Sequence, residues 1–455
     1  MKRLSALILV LAMCFSLAAC NNTAKKDAEA KPEAVHLSVG SEIKTANATL
    51  KLLRVHENTD YTYYDDRTNV EMIFDIVNNG KNGIPYTEII TLDAMVAGEK
   101  CTNVTYIVSD DAEGRDTYEE LAAGKSAKFI ARLEVPTSEK EVSLKIKADG
   151  EKYTYKYTIG NDDKSITPVS FNTSFTVGGV GDFTITKLEA TPTVRPVMGG
   201  SYSYSASSGN VYFDTVFSFT SSAASDISSE DVISATVKTA SGTTYDNCFV
   251  YVENAGGTNI SRYENIAPLS TVRLHTTVSV PENETSGEIE FEIGGSFFTI
   301  SFDASKPMTN ATALSIGNTI GTDSTSKAEF LSCEFVDAVY PSDASGYYTY
   351  YEVDDANSTY LALAFNVTNH GSTRKDVEDM IDATAKFAGK YTYNGFVVSE
   401  DDDKSSLNSY NDIDPLETKK VYCLITVPKT VTAESYEVTV AFDCNEYIVT
   451  VNAAA

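Results

Sequence analysis

Apolar and polar residues alternate in three separated stretches: NVEMIFDIVNNG at 69–80, NVYFDTVFSFTSS at 210–222 and TYLALAFNVTNHG at 359–371. With Phe74, Phe217 and Phe365 in register, the stretches are offset by 143 and 148 residues. One face of the first carries Val70, Met72, Phe74 and Ile76; the same face of the third carries Leu361, Leu363, Phe365 and Val367. This period of two predicts half-buried strands. Asn79-Gly80 supplies a turn signal at the end of the first, echoed by His370-Gly371.

Other landmarks keep the same spacing. FIARLEVP (129–136) matches LHTTVSVP (274–281) and VYCLITVP (421–428), each strand ending in a proline that cannot donate to a sheet ladder. Each copy closes with a predicted hairpin, turning at Asp149-Gly150, at Gly294-Gly295 and around Asp443-Cys444-Asn445. LSVGSEI (37–43) matches LSIGNTI (314–320), and the tyrosine clusters YTYYDD (61–66) and YTYY (348–351) fall at equivalent places, with SYSYSASSG (201–209) between them. The chain therefore reads as three copies of one unit, over 35–160, 161–306 and 307–453. The pattern predicts an all-β fold of three tandem immunoglobulin-like β-sandwich domains. RKDVEDMIDATAKF (374–387) looks helical in isolation, but its partner YTEIITLDAMV (86–96) looks strand-like, so at most a turn or two of helix is expected there.

Residues 1–20 differ in kind. Lys2 and Arg3 precede the apolar run LSALILVLAMCFSLAA, which is short for a membrane span and ends in small residues, as a cleaved export signal does. Leu17-Ala18-Ala19-Cys20 resembles the lipobox of bacterial lipoproteins. That resemblance implies cleavage before Cys20 and a diacylglyceryl anchor on its thiol, holding the chain to the extracellular face of the cell membrane. Residues 21–34, NNTAKKDAEAKPEA, read as a flexible tether. No later stretch approaches 18 apolar residues.

The formal charge of −28 becomes about −30 without Lys2 and Arg3, which argues against nucleic acid and anionic headgroups as partners. The register also orders the cysteines. Cys101 and Cys248 are alone in their copies, Cys423 falls on the core face as a buried thiol, and Cys333 and Cys444 leave a pairing within the third copy open.

The LSVGSEI-like start, the V-x-F-x-V strand ending in Asn-Gly and the late strand ending in Val-Pro resemble the telokin-like, immunoprotective-extracellular-protein-like domains of uncharacterised Gram-positive lipoproteins. The resemblance covers nearly the whole chain after Cys20, three times. It implies immunoglobulin-type sandwiches and brings no catalytic residues. Family members often show Pro-Gly before the late strand; here that place reads AAGKS, APLST and DPLET, a turn that has diverged.

Catalytic motifs are absent. His36, His56, His275 and His370 form no zinc or HExxH spacing, and no nucleophile elbow or phosphate loop occurs. His275, between Leu274 and Thr276, reads as a solvent-facing strand residue. A carboxylate pair for glycoside hydrolysis is set in space and stays open, although no copy is distinctive in the way a single active site requires. The acidic loops SDDAEGRD (109–116) and SEDDDKSSLNSYNDID (399–414) offer Asp110, Asp111, Asp401, Asp402 and Asp403 as Ca²⁺ ligands, against the simpler reading of solvated surface charge. Neither has calcium-hand spacing, and the second copy, VENAGGTNIS (252–261), nearly lacks acids. Tyr61, Tyr63, Tyr64, Tyr348, Tyr350 and Tyr351 are the candidate binding residues, because a tyrosine offers a flat apolar face and a hydroxyl to a protein or glycan; they could equally cover a sandwich edge. The expected function is a membrane-anchored, non-enzymatic surface lipoprotein presenting these loops. The alternatives are a structural stalk, or an envelope hydrolase or metal-dependent enzyme.

Overall fold

The computed structural model describes residues 34–451 other than 60–65, 97–98, 102–103, 111, 113, 116, 201 and 390. Cys20, Tyr61, Tyr63, Tyr64 and Asp111 lie outside the described residues. Among the described residues no helix is long and apolar enough to cross a membrane.

Three hydrophobic cores follow one another along the chain, between Leu37 and Tyr157, Val177 and Phe302, and Leu314 and Val449. Each lies between two sheets. In the first domain one sheet runs Val35–His36, Glu151–Thr158, Glu141–Ala148, Thr91–Val96, Glu99–Cys101; the facing sheet has Ala48–Asn58, Arg67–Asn78, Ser126–Pro136 and Val104–Ser109 at its heart. The second domain repeats both orders. In the third, Tyr391–Glu400 pairs with one sheet through Tyr391–Asn394 and with the other through Gly395–Ser399, joining the two. The fold is three tandem immunoglobulin-like sandwiches.

The alternating strands are central, and their predicted core faces are buried: Val70, Met72, Phe74, Ile76, Leu361, Leu363, Phe365 and Val367 are all 0% exposed. Their other faces are not solvated as the alternation suggests. Glu71, Ile73 and Asp214 are buried too, Glu71 among Asn58, His56 and Arg132 and Asp214 against His275 of the neighbouring strands. The ambiguous segments resolve as single turns before strands: Tyr86–Ile89 before Thr91–Val96, and Val377–Asp379 before Ile381–Phe387. The hairpins turn through two left-handed residues each, at Asp149-Gly150, Gly294-Gly295 and Asp443-Cys444, the geometry that matches strand twist. The turn before the late strand has diverged in residue but not in shape. Gly124, Leu269 and Leu416 stand at φ +72°, +60° and +65°.

Asn78 and Asn369 end the central strands with their side chains turned inward. Asn369 is 0% exposed, donates to the carbonyls of Thr373 and Ile413 at 2.8 and 2.9 Å, and accepts from Gly371 N–H. Asn78 does the same with Asn82, Leu121 and Gly80. Asn369→Ala leaves these buried groups unpaired and is expected to reduce unfolding free energy by about 2–3 kcal/mol, read by urea denaturation.

Cys248, Cys333, Cys423 and Cys444 are free thiols, and Cys423 is fully buried on the core face.

Candidate functional site

Each first long strand carries a bulge at the same place, between Leu52 and Arg54, Ile185 and Lys187, and Phe330 and Ser332. A bulge re-aims the following side chain, and in two domains that side chain is a cation facing the next domain. Arg54 contacts Asp162 at 2.6 Å and Glu292 at 3.8 Å, and lies 5.2 Å from the centre of the Phe297 ring. Lys164 lies 4.8 Å from the same ring and 2.8 Å from Glu290. Lys187 reaches Glu446 at 3.0 Å, and Arg273 reaches its other oxygen at 2.8 Å.

Phe297 and Glu446 stand at the same position of their hairpins, four residues after the last residue of the first strand, Gly294 and Asp443 opening the two turns. Both junctions therefore use one device: the closing hairpin tip of one domain seats on the bulge face of the domain before it. At the second junction Cys444 N–H donates to Met198 Sδ at 3.4 Å, and Cys444 Sγ lies 3.7 Å from the Ala255 carbonyl. Gly257 must be glycine there: at φ +63°, a Cβ would stand 2.7 Å from Val197 and 3.1 Å from Cys444 Sγ.

Beneath this seat lies His275, which sequence reasoning placed at the surface. It is 3% exposed, with Nδ1 2.9 Å from Asp214 and Nε2 2.8 Å from Glu253. Parity does put it on the outer face of the sheet; there the paired strands Thr193–Val194 and Tyr204–Ser205 pack through Val194 and Tyr204 on Tyr212 and on Tyr251, the cross-strand neighbour of His275. A ring with a carboxylate at each nitrogen is an imidazolium donating twice. Burial alone pushes its pKa down, but the Asp214 charge and the hydrogen bonds to Asp214 and Glu253 outweigh that and raise it to about 9. Burial pushes Glu446 up, and Lys187 and Arg273 more than reverse this, bringing it to about 2.

The third domain has the same outer face without a described domain on it. A flap over residues 337–356, paired through Ala338–Val339 and Tyr351–Glu352, folds back over Tyr360, Ala362, Ala364, Tyr422 and Leu424. Tyr351 faces inward, its ring 5.7 Å from Phe396. Tyr348 and Tyr350 lie on the other side with Tyr340, which the sequence pattern missed. Tyr340 and Tyr350 stack at 4.9 Å, and Tyr348 packs on them at 6.3 and 5.9 Å. Tyr347 beside them is 94% exposed. The charge of Glu352 raises the Tyr350 phenol. The alternation 348, 350 against 351 was the available signal; Tyr340 lies across the hairpin and left none.

The flap is fastened to the acidic turn. Thr349 bridges Ser406, Asp343 N–H donates to the Lys404 carbonyl at 2.9 Å, and Ser342 donates to the buried Glu400 carboxylate through N–H and hydroxyl. The tyrosines and the acids of the third domain thus form one surface. The carboxylates do not converge on a point. Asp401 accepts from the N–H groups of Ser405 and Ser406, Asp403 from that of Ser405, and Asp402 pairs with Lys419 at 2.8 Å. In the first domain Asp110 accepts from the Tyr118 hydroxyl. Among the described residues no group of three or more His, Cys, Asp or Glu side chains is placed to hold a metal ion.

Neither a protein-family model nor a curated protein sequence matches the chain. Among solved structures it is similar to an uncharacterised β-sandwich protein from Clostridium difficile 630, at 24% identity over 32% of this chain and 98% of that one, with a TM-score of 0.30. It is similar to a candidate lipoprotein from Bacillus subtilis at 14% identity, over 28% of this chain and 40% of the other, TM-score 0.20. The I9–I11 tandem of titin aligns over 84% of this chain and 92% of its own at 7% identity, TM-score 0.11. At these values the architecture stands on the chain's own sheet pairings.

Proposed function

We propose that the chain is a non-enzymatic surface lipoprotein of the telokin-like group, tethered through Cys20 to the extracellular face of the cell membrane. Its third domain presents a recognition face to a protein or glycan. The observation that carries this reading is the Tyr340–Tyr348–Tyr350 stack, held by a hairpin that is itself fixed to the Asp401–Ser406 turn. Rigid aromatic rings give a ligand apolar area at small entropic loss, while the nearby acids set charge preference. The anchor assignment rests on the Leu17-Ala18-Ala19-Cys20 sequence, and mass spectrometry of the membrane-bound protein tests it: an unmodified Cys20 sinks it.

The recognition face is tested by glycan array and pull-down with the wild type and with Tyr340, Tyr348 and Tyr350 changed to Ser. The variant is expected to lose affinity at least about tenfold. Equal binding by both proteins removes the face and leaves the stalk, which the interlocked domain junctions favour. Calcium titration by calorimetry tests the acidic turn separately; no heat with millimolar ion disposes of Ca²⁺ there.

A further inference from the structure

The two internal junctions obey a charge rule. The bulge faces reach the tips through cations, Arg54, Lys164 and Lys128 in one case and Lys187 and Arg273 in the other, each steadied by a carboxylate on its own side. The hairpin tips they receive are acidic or aromatic, through Glu290, Glu292 and Phe297 or Glu446. Two surfaces of the same design have no described partner: the tip of the first domain and the face of the third. Both depart from the rule, in opposite directions.

Strand register fixes the equivalences. On the first tip Lys147 pairs with Lys152 where Glu292 pairs with Phe297 on the second, and Lys145 stands at the place of Glu290. Lys145, Lys147 and Lys152 are exposed; Lys147 has only Asp93 of its own domain, at 3.7 Å. The places of Glu290, Glu292 and Phe297 on this tip are therefore all lysine, while Glu151 stands at the place of Ser296. On the third face, Ser332 replaces the cation after the bulge, while Lys420 keeps the place of Lys128 and Arg273 and lies 5.2 Å from the Tyr422 ring of its own sheet. The turn beside it matches the second domain's bond for bond. Asn254 and Asp401 each accept from the N–H groups four and five residues on, and Gly257 and Lys404 are left-handed at φ +63° and +60°. Within that shared frame Asp402 and Asp403 occupy the places of Ala255 and Gly256, and both are exposed.

We infer that the first domain's lysine-bearing hairpin tip docks on the third domain's acidic, tyrosine-rich face of a second copy of this chain. The inference rests on the recognition face proposed above and names its occupant. The reversed charges make the terminal pair complementary to each other and mismatched to both internal junctions, so an unfinished chain does not seat a tip on the wrong face. The contact is heterologous, and such contacts build open-ended rows. A tether over residues 21–34 reaches at most about 48 Å at ~3.4 Å per residue, which lets anchored copies lie end to end along the bilayer.

Sedimentation velocity of residues 21–455, which leave out the anchor cysteine, across a concentration series tests this. Species heavier than a dimer are expected, weakening with added salt. Lys147→Glu with Lys152→Glu is expected to weaken association about tenfold or more, and Asp402→Lys with Asp403→Lys likewise. Mixing the two variants restores it, since each then meets a complementary surface. All four positions are exposed, so circular dichroism stays unchanged. A monomer at every concentration, or association indifferent to the reversals, overturns the inference. A monomer that still binds a glycan or another protein through the tyrosines overturns self-docking alone and leaves the recognition face standing.

Discussion

His275→Ala is expected to lower the unfolding free energy by about 3–5 kcal/mol at pH 6, because it leaves Asp214 and Glu253 buried against each other without the cation between them. Guanidinium denaturation of wild type and variant measures it. The pH dependence identifies the cause. The folded pKa of about 9 lies above the unfolded value near 6.5, so the contribution is complete below the unfolded value and is lost as pH rises through 9. Wild-type stability is expected to fall by on the order of 3 kcal/mol over that interval, and the variant to show no such fall. Glu446 bounds the other side. Its folded pKa of about 2 lies below the usual value of 4.5, so its contribution is complete above 4.5 and disappears as pH drops through 2. The junction is thus firmest between the two ordinary values, in mildly acidic solution.

Glu446→Ala attacks the same junction from the third domain. Lys187 keeps Glu189 at 3.1 Å and Arg273 keeps Glu253 at 3.2 Å, but both lose the carboxylate that ties one domain to the next. A loss of about 3 kcal/mol is expected. Differential scanning calorimetry is expected to show the second and third domains melting together in the wild type and in two separate transitions in the variant. A single unshifted transition would mean that Cys444, Met198 and the linker pairing hold the junction unaided.

Much of this molecule is legible in its sequence. The period of two around Phe74, Phe217 and Phe365, the terminal prolines and the two-residue turns report local geometry, and they give the sandwich and its repetition directly. The outer face is a different matter. Alternation places His275 opposite the core correctly, yet says nothing about what covers that side. The cover comes from a flap beginning some 80 residues upstream and a carboxylate 22 residues away. The recognition face divides in the same manner. Tyr348 and Tyr350 share a side by strand parity, whereas Tyr340 joins them only because the hairpin folds. The join between tyrosines and acids depends on Thr349 meeting Ser406, a contact no local pattern announces. Asp401 shows the converse: its carboxylate looks like a ligand in sequence, and the structure has one of its oxygens accepting from two N–H groups of its own turn.

Each linker pairs with the domain before it and then with the domain after it. Asp163–Lys164 pairs antiparallel with Ala48–Asn58, and after Ser165 alone the chain pairs parallel with Ser296–Asp303 through Ile166–Pro168. Met308–Thr309 and Thr312–Ala313 repeat the handover one domain on. Hydrogen bonds in such ladders run across the strands. Tension along the chain axis therefore loads the parallel segments in shear, where several bonds must yield together rather than unzip in turn. A shearing flow would meet its resistance at these two-to-three-residue splices before any core is exposed.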